Sequence, residues 1–325
     1  MQTRPLGKTG LTVPRVCFGT MTFGSQVDPG AASGMVDYLL DNGLNFFDTA
    51  NVYNEGESER ILGKCLTGRR DKVIVASKVR GRMTAEDGSE EYEGLSRAAI
   101  LRSVEDSLRR LGTDYLDLCY LHRPDAAVPL EETLEAVESL VKSGKVRFPA
   151  LSNFASWQVT EAQWIAAARG LTPATVTQPI YNLLARGIEQ EYLPMCRHFG
   201  IFTCIYNPLA GGMLTGKQQK AGPVAGSRFD NNQMYLERYW HPACFEAVEA
   251  LASAAEAHGR SLLSVALCWL YFHTPADCLI LGASRQHQLV QNLAALEEGA
   301  LPEGVLETCD TVWSTLRGVT PKYNR

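Results

Sequence analysis

Asp48, Lys78 and His122 each end an apolar run, and Tyr53 follows the first of them by five residues in NFFDTANVY. A carboxylate, an ammonium, an imidazole and a phenol are a set that can deliver a proton. A free tyrosine, with a pKa of about 10, is a weak acid at neutral pH, but an adjacent ammonium stabilises the phenolate and eases donation. A buried lysine tends to shed its own proton, so Asp48 is needed to keep Lys78 charged and aimed. A neutral His122 can orient and polarise the accepting oxygen. The reaction class is proton donation to an oxygen on which negative charge develops, as in carbonyl reduction. One His, one Asp and a Lys are a poor ligand set, so no metal is expected. Taken singly, the four have bland explanations: a turn cap, a solvated amine, a core histidine, loop packing.

What raises them above that is the scaffold. Eight β-prone runs recur: VCFGT (16–20), NFFDT (45–49), VIVASK (73–78), LDLCYLH (116–122), VRFPALS (146–152), ATVTQ (174–178), FTCIYN (202–207) and CLILGA (278–283). Amphipathic helical patterns separate them, over 30–42, 57–66, 97–110, 129–143, 156–168, 188–198, 243–257 with 261–272, and 286–296. Leu101, Val104, Leu108 and Leu111 show the helical spacing. This alternation predicts one α/β domain over 1–325, a closed (β/α)8 (TIM) barrel with an N-terminal hairpin at 2–15 and an extra helix near 302–316. No G-x-G-x-x-G follows the first run, which argues against a doubly wound dinucleotide-binding sheet. Neighbouring strand ends in a parallel barrel stand roughly 4.8 Å apart. Asp48, Lys78 and His122 therefore converge, with Tyr53 folding back over them.

The chain has 325 residues, 45% hydrophobic and 21% charged, with a formal net charge of -5. That balance offers no general attraction to nucleic acid or anionic membrane. No apolar run is long enough to span a bilayer and MQTRPLGKTG lacks a signal-peptide core, so a cytoplasmic location is expected. The nine scattered cysteines contain no C-x-x-C pair and suggest buried apolar thiols rather than disulfides or a zinc site.

Two stretches after strand ends exceed what a barrel needs: residues 80–96, polar and acidic, and residues 217–241, rich in aromatics. The aromatic one reads as a binding lid. The expected substrate wall is Met21, Phe23, Arg82, Phe229, Tyr235 and Trp240, with Tyr53 and His122 at its base. Anion-binding loops follow the seventh and eighth strands. YNPLAGGMLTGK (206–217) offers paired glycines and Lys217; GASRQHQLVQN (282–292) offers Ser284, Arg285 and a helix N-terminus. The spacing Gly211-x4-Gly216-Lys217 approaches a P-loop, but Gln218 stands where the hydroxyl residue should be.

The chain resembles the aldo-keto reductase superfamily over essentially its whole length, through DTANVY, the SK of VIVASK, and YLHRPD. The resemblance implies Tyr53 as general acid, Lys78 and Asp48 as its tuning pair, and His122 as substrate orienter. It implies a nicotinamide cofactor whose carboxamide meets Ser152, Asn153 and Gln178 and whose ring stacks on Tyr206. Asn207, Pro208, Leu209, Gly211, Gly212, Leu214, Gly216, Lys217 and Arg228 would wrap the diphosphate. Gly282, Ser284, Arg285, Gln288, Gln291 and Asn292 would meet the adenosine end, and an arginine beside the ribose favours NADP(H) over NAD. The aflatoxin-aldehyde-reductase-like branch is the most similar, through NFASW, YNLLARGIEQEYLPMCRHFG, YNPLAGGMLTGK and a terminal KYNR. Where such relatives commonly carry a glycine before the SN pair, this chain has Pro149 and Ala150, which puts pairing of the fifth strand at risk. The expected activity is NADPH-dependent reduction of a small aldehyde or ketone, with a homo-oligomer left open. The alternatives are a redox-sensing subunit with little turnover, resembling the barrel proteins that accompany potassium channels, and a cofactor-free lyase or epimerase.

Overall fold

The computed structural model describes residues 1–319, so the KYNR tail lies outside the described residues. A hairpin of β1 (Thr3–Pro5) and β2 (Thr12–Pro14) opens the chain. Its Leu6 and Val13 join the inner core of the barrel and plug one end of it.

The barrel strands are β3 (Val16–Gly19), β4 (Phe46–Asp48), β5 (Ile74–Val79), β8 (Leu116–Leu121), β9 (Val146–Ser152), β10 (Val176–Gln178), β11 (Phe202–Ile205) and β12 (Cys278–Leu281). They close in that order, all parallel, with β12 returning to β3. Residues 80–96 supply the two short strands β6 (Met83–Thr84) and β7 (Glu91–Tyr92), paired antiparallel outside the barrel. Alternation along each strand divides the side chains into two cores. Cys17, Phe46, Ala76, Leu118, Tyr120, Val176, Cys204 and Ile280 fill the inside, while Val16, Phe18, Phe47, Val75, Cys119 and Ile205 face the helices.

The helices are α1 (Pro29–Asp41), α2 (Glu57–Cys65), α3 (Arg97–Leu111), α4 (Leu130–Lys142), α5 (Ser156–Arg169), α6 (Tyr192–Phe199), α7 (Gln233–Tyr239), α8 (Pro242–Ala257), α9 (Leu262–Phe272), α10 (Gln286–Glu297) and α11 (Glu303–Arg317). Local chemistry sets their ends. The Ser96 hydroxyl accepts from Ala99 N–H to start α3, and Gly112, at φ 62°, ends it. The helix expected from residue 188 begins only at Tyr192, because residues 187–189 form a separate 3₁₀ turn. The short α7 was not anticipated inside the aromatic stretch.

Pro149 does not break the fifth barrel strand. Its carbonyl still accepts from Thr175 N–H at 3.1 Å. The ladder to β10 starts one residue later, at Ala150 with Val176, so the missing N–H falls where there is no partner strand to serve. All nine cysteines are buried and free, as small core side chains. Among the described residues no helix is long and apolar enough to cross a membrane.

Candidate active site

β4, β5 and β8 lie side by side, and the register sets Asp48 opposite Ala76 and Lys78 opposite Tyr120. Lys78 has no exposed surface and Asp48 is 3% exposed. The Lys78 ammonium donates to Asp48 Oδ1 and, at 2.7 Å, to the Thr49 carbonyl. The other carboxylate oxygen accepts from Gln178 Nε2 at 2.8 Å. Asp48 is thus satisfied on both oxygens, the condition under which a buried ion pair is tolerated. Lys78 Nζ lies 4.9 Å from the centroid of the Tyr53 ring, and the Tyr53 and His122 rings meet edge to face at 6.0 Å. The four residues expected to act together are therefore brought together at the strand ends.

Burial pushes the Tyr53 phenol up; the charge and hydrogen bond of Lys78 pull it down, and Asp48 adds a further upward push. The result lies above the ordinary tyrosine value, so the ammonium offsets part of the burial cost without delivering a net fall. Burial alone would strip Lys78 of its proton, but Asp48 and Tyr53 outweigh it and the ammonium is held more tightly than usual. His122 is driven down to about 3 by burial and by the nearby cations Lys78, Arg123 and Arg80. At neutral pH the site therefore holds a charged lysine, a protonated phenol and a neutral imidazole. That combination can hand a proton to a bound oxygen and hydrogen-bond it from a second side.

On the far wall, Ser152 is paired in register with Gln178. Ser152 Oγ donates to the Gln178 carbonyl at 3.0 Å, and Asn153 Nδ2 donates to the His122 carbonyl at 2.8 Å. Tyr206 donates to Asn153 Oδ1 at 2.7 Å, so the expected carboxamide residues and the expected stacking ring form one connected wall. Gln178 Nε2 is engaged by Asp48, and the Gln178 backbone carbonyl by Ser152 Oγ. After β11 the chain turns through a 3₁₀ segment, Ala210–Thr215, rather than the long helix of a P-loop. Pro208 and Leu214 are buried beneath it, Leu209 is half-buried, and Lys217 is exposed.

The residues fit a nicotinamide dinucleotide. Gly211, Gly212 and Gly216 take φ of 69°, 101° and 73°, and Gly212 faces open space, so the backbone can be approached closely there. The first turn of α10 has no side-chain cap, which leaves its N–H groups for an anion, with Arg285 exposed beside it. Arg285 donates to the Gln26 and Ser284 carbonyls. Gln288 Oε1 accepts from Ser284 N–H at 2.9 Å, Asn292 Nδ2 reaches the Gly282 carbonyl at 3.5 Å, and Gln291 is exposed.

The expected substrate wall is only partly at the surface. Met21 is exposed, and Arg228 bridges it to Tyr235, donating to the Met21 sulfur and to the phenol. Phe23 and Phe229 are wholly buried and serve the main core, since an aromatic ring gains more by packing than a mouth residue could. Arg82 turns away to pair with Glu91. Trp240 is half-buried, 5.3 Å from Phe229.

Other contacts at the site join distant segments. Gln178 serves Asp48 from 130 residues away. Asn182 donates to Tyr239 Oη and to the Asn207 carbonyl, while Asn207 Oδ1 accepts from Gly211 N–H at 2.6 Å. These bonds tie α7 to the glycine loop. Asn54 holds the Met21 and Phe23 carbonyls; its Asn-Glu-Gly context is a turn signal that sequence reasoning could have used.

A buried ammonium under a phenol, on a parallel barrel with open glycine loops at neighbouring strand ends, marks an oxidoreductase. Residues 15–314 match the Aldo/keto reductase family, and the chain belongs to it. It is 38% identical to aflatoxin B1 aldehyde reductase member 2 of Rattus norvegicus, over 96% of this chain and 88% of that one. It is 36% identical to aldo-keto reductase family 7 member A3 of Homo sapiens, covering 96% and 97% of the two chains. It is also 35% identical to a probable voltage-gated potassium channel subunit beta of Oryza sativa subsp. japonica, covering 91% and 92%.

Proposed function

We propose that this chain, as a single barrel domain in the cytoplasm, is an NADP(H)-dependent reductase that converts an aldehyde or ketone to the alcohol. The observation that carries the reading is Lys78, fully buried yet held charged between Asp48 and the Tyr53 ring. When bound, the reduced nicotinamide supplies a hydride to the carbonyl carbon. Tyr53 gives its phenolic proton to the carbonyl oxygen, so the C=O becomes CH–OH while Tyr53 is left as phenolate. Lys78 stabilises that phenolate, and Asp48, held by Gln178, keeps Lys78 charged and in place. His122, neutral throughout the working range, hydrogen-bonds the same oxygen and shares its developing charge. Ser152, Asn153 and Gln178 would hold the carboxamide, Tyr206 would meet the ring, and the loop from Asn207 to Lys217 with Arg228 would hold the diphosphate. Arg285, with Ser284, Gln288, Gln291 and Asn292 around it, takes the adenosine 2′-phosphate. Exposed Met21 and half-buried Trp240 remain as edges of the substrate mouth.

The test is a rate screen over aldehydes, ketones and sugars with NADPH against NADH. NADPH should be preferred, and Arg285→Ala should reduce the preference about tenfold or more through the lost charge-assisted bond. No turnover with any carbonyl would overturn the reading. Near-zero turnover together with a stable protein partner in a pull-down would move it to a redox-sensing subunit.

A further inference from the structure

We propose that Gly81 and Val52 are positioning residues for the acid: their contact presses the turn that carries Tyr53 against the end of β5. The proposal rests on the reading of Tyr53 as proton donor. A Cβ added to Gly81 would lie 2.0 Å from Val52 Cγ1 and 3.2 Å from its Cβ, the closest approach to another side chain at any glycine of the described residues. Valine has one stiff side-chain torsion, so little of that collision can be absorbed by the side chain. It passes to the backbone beside Tyr53.

The wall behind the contact is built to resist. Met83, Ala85 and Tyr92 form a small core of their own, separate from the two cores of the barrel, and Val52 packs against it. The β6–β7 hairpin is fastened to the barrel by Glu86, which accepts from Arg110 at 2.8 Å and from Arg60 at 2.7 Å. Arg110 is itself paired with the buried Glu59 at 2.6 Å, and Glu59 accepts from Ser77, the neighbour of Lys78. Arg80, a non-glycine at φ 126°, bends the chain sharply after β5 and delivers Gly81 to this place.

The opposite side of the turn is held too. Asn51 N–H donates to the Lys78 carbonyl at 3.2 Å, and Tyr53 N–H to that of Ala50 at 3.2 Å. Asn54, Glu55 and Gly56 are consecutive left-handed residues, φ 50°, 55° and 84°, and Asn54 Nδ2 donates to the Met21 and Phe23 carbonyls at 3.0 and 2.6 Å. Tyr53 thus sits between a fixed anchor at Asn54 and a wall at Gly81.

Gly81→Ala should lower kcat on the order of 100-fold with NADPH affinity little changed, as expected for a small misplacement of a reacting group. Adding Val52→Ala makes room for the new methyl and should return kcat to within about threefold of wild type, a coupling that two unrelated lesions would not show. The ¹³Cζ-tyrosine resonance of Tyr53, assigned by its loss in Tyr53→Phe, should move in Gly81→Ala and return in the double variant. That signal reads position without turnover, so absent wild-type reductase activity would defeat the proposed function and leave this test standing. Gly81→Ala with unchanged kcat and resonance, or a loss that Val52→Ala fails to reverse, would overturn the proposal. If Gly81→Ala does not fold, the double variant is compared with Val52→Ala alone. The double must be the more active of the two, and equal or lower activity overturns the proposal.

Discussion

Two long segments leave the same rim of the barrel and are built in opposite ways. Residues 80–96 carry charge outward and hide a three-residue core, Met83, Ala85 and Tyr92, on which Val52 packs and which the Arg110–Glu86 and Arg60–Glu86 pairs hold down. Residues 217–241 carry aromatics inward: Phe229, Tyr235 and Tyr239 merge with the main core, and Tyr235 and Phe229 lean on Gly211. The first segment braces the turn that carries Tyr53; the second braces the glycine loop. Length and polarity predict that such segments matter, but only the packing direction says for which half of the site. The acidic segment looked the blander of the two, yet it touches the residue next to Tyr53.

The largest expected loss is at Lys78. Lys78→Met should lower carbonyl reduction by about 10²–10⁴-fold. It should also destabilise the fold by about 3–5 kcal/mol, because Asp48 is left buried without its partner. Denaturant unfolding and steady-state rates check the two effects separately. At the glycine half, Gly211→Ala places a methyl 2.6 Å from the Tyr235 ring at φ 69°. A strain of order 1–3 kcal/mol corresponds to roughly 5–160-fold weaker NADPH binding, with kcat at saturation less affected, measured by cofactor fluorescence titration.

A smaller effect separates the two halves by pH. His122 titrates at about 3 in the folded protein, and near 6.5 in an unfolded chain. Between those values the unfolded chain holds more protons, so the stability linked to neutral His122 is full above about 6.5 and is lost as pH falls toward 3. The melting temperature should fall more steeply below pH 6.5 in wild type than in His122→Gln. The smallest effect is at Arg82, whose side chain is exposed and paired with Glu91. Arg82→Ala should change kcat/KM less than about threefold.

The strands and the convergence of Asp48, Lys78 and His122 were legible because apolar runs closed on them and a parallel barrel forces such ends into one ring; Tyr53 follows in the loop after the first. Pro149 was a legible irregularity with an illegible outcome, since its harmlessness depends on where the neighbouring strand begins. Phe23 and Phe229 show the converse. An aromatic residue in a loop can line a mouth or join a core, and no local pattern separates the two. Gln178 on Asp48, Asn182 on Tyr239 and Gly81 on Val52 are contacts between distant segments. Each partner looks ordinary in its own stretch. The two-residue strands β6 and β7 are too short for any periodicity to show.

Tyr53 is proposed to deliver the proton while the rest of the site binds and orients. Tyr53→Phe removes one oxygen and leaves the ring that packs beside Lys78 and His122. Carbonyl reduction should fall by about 10²–10⁴-fold while NADPH affinity and melting temperature stay at wild-type values. Reduction at the wild-type rate by a folded, cofactor-binding Tyr53→Phe protein would contradict the account.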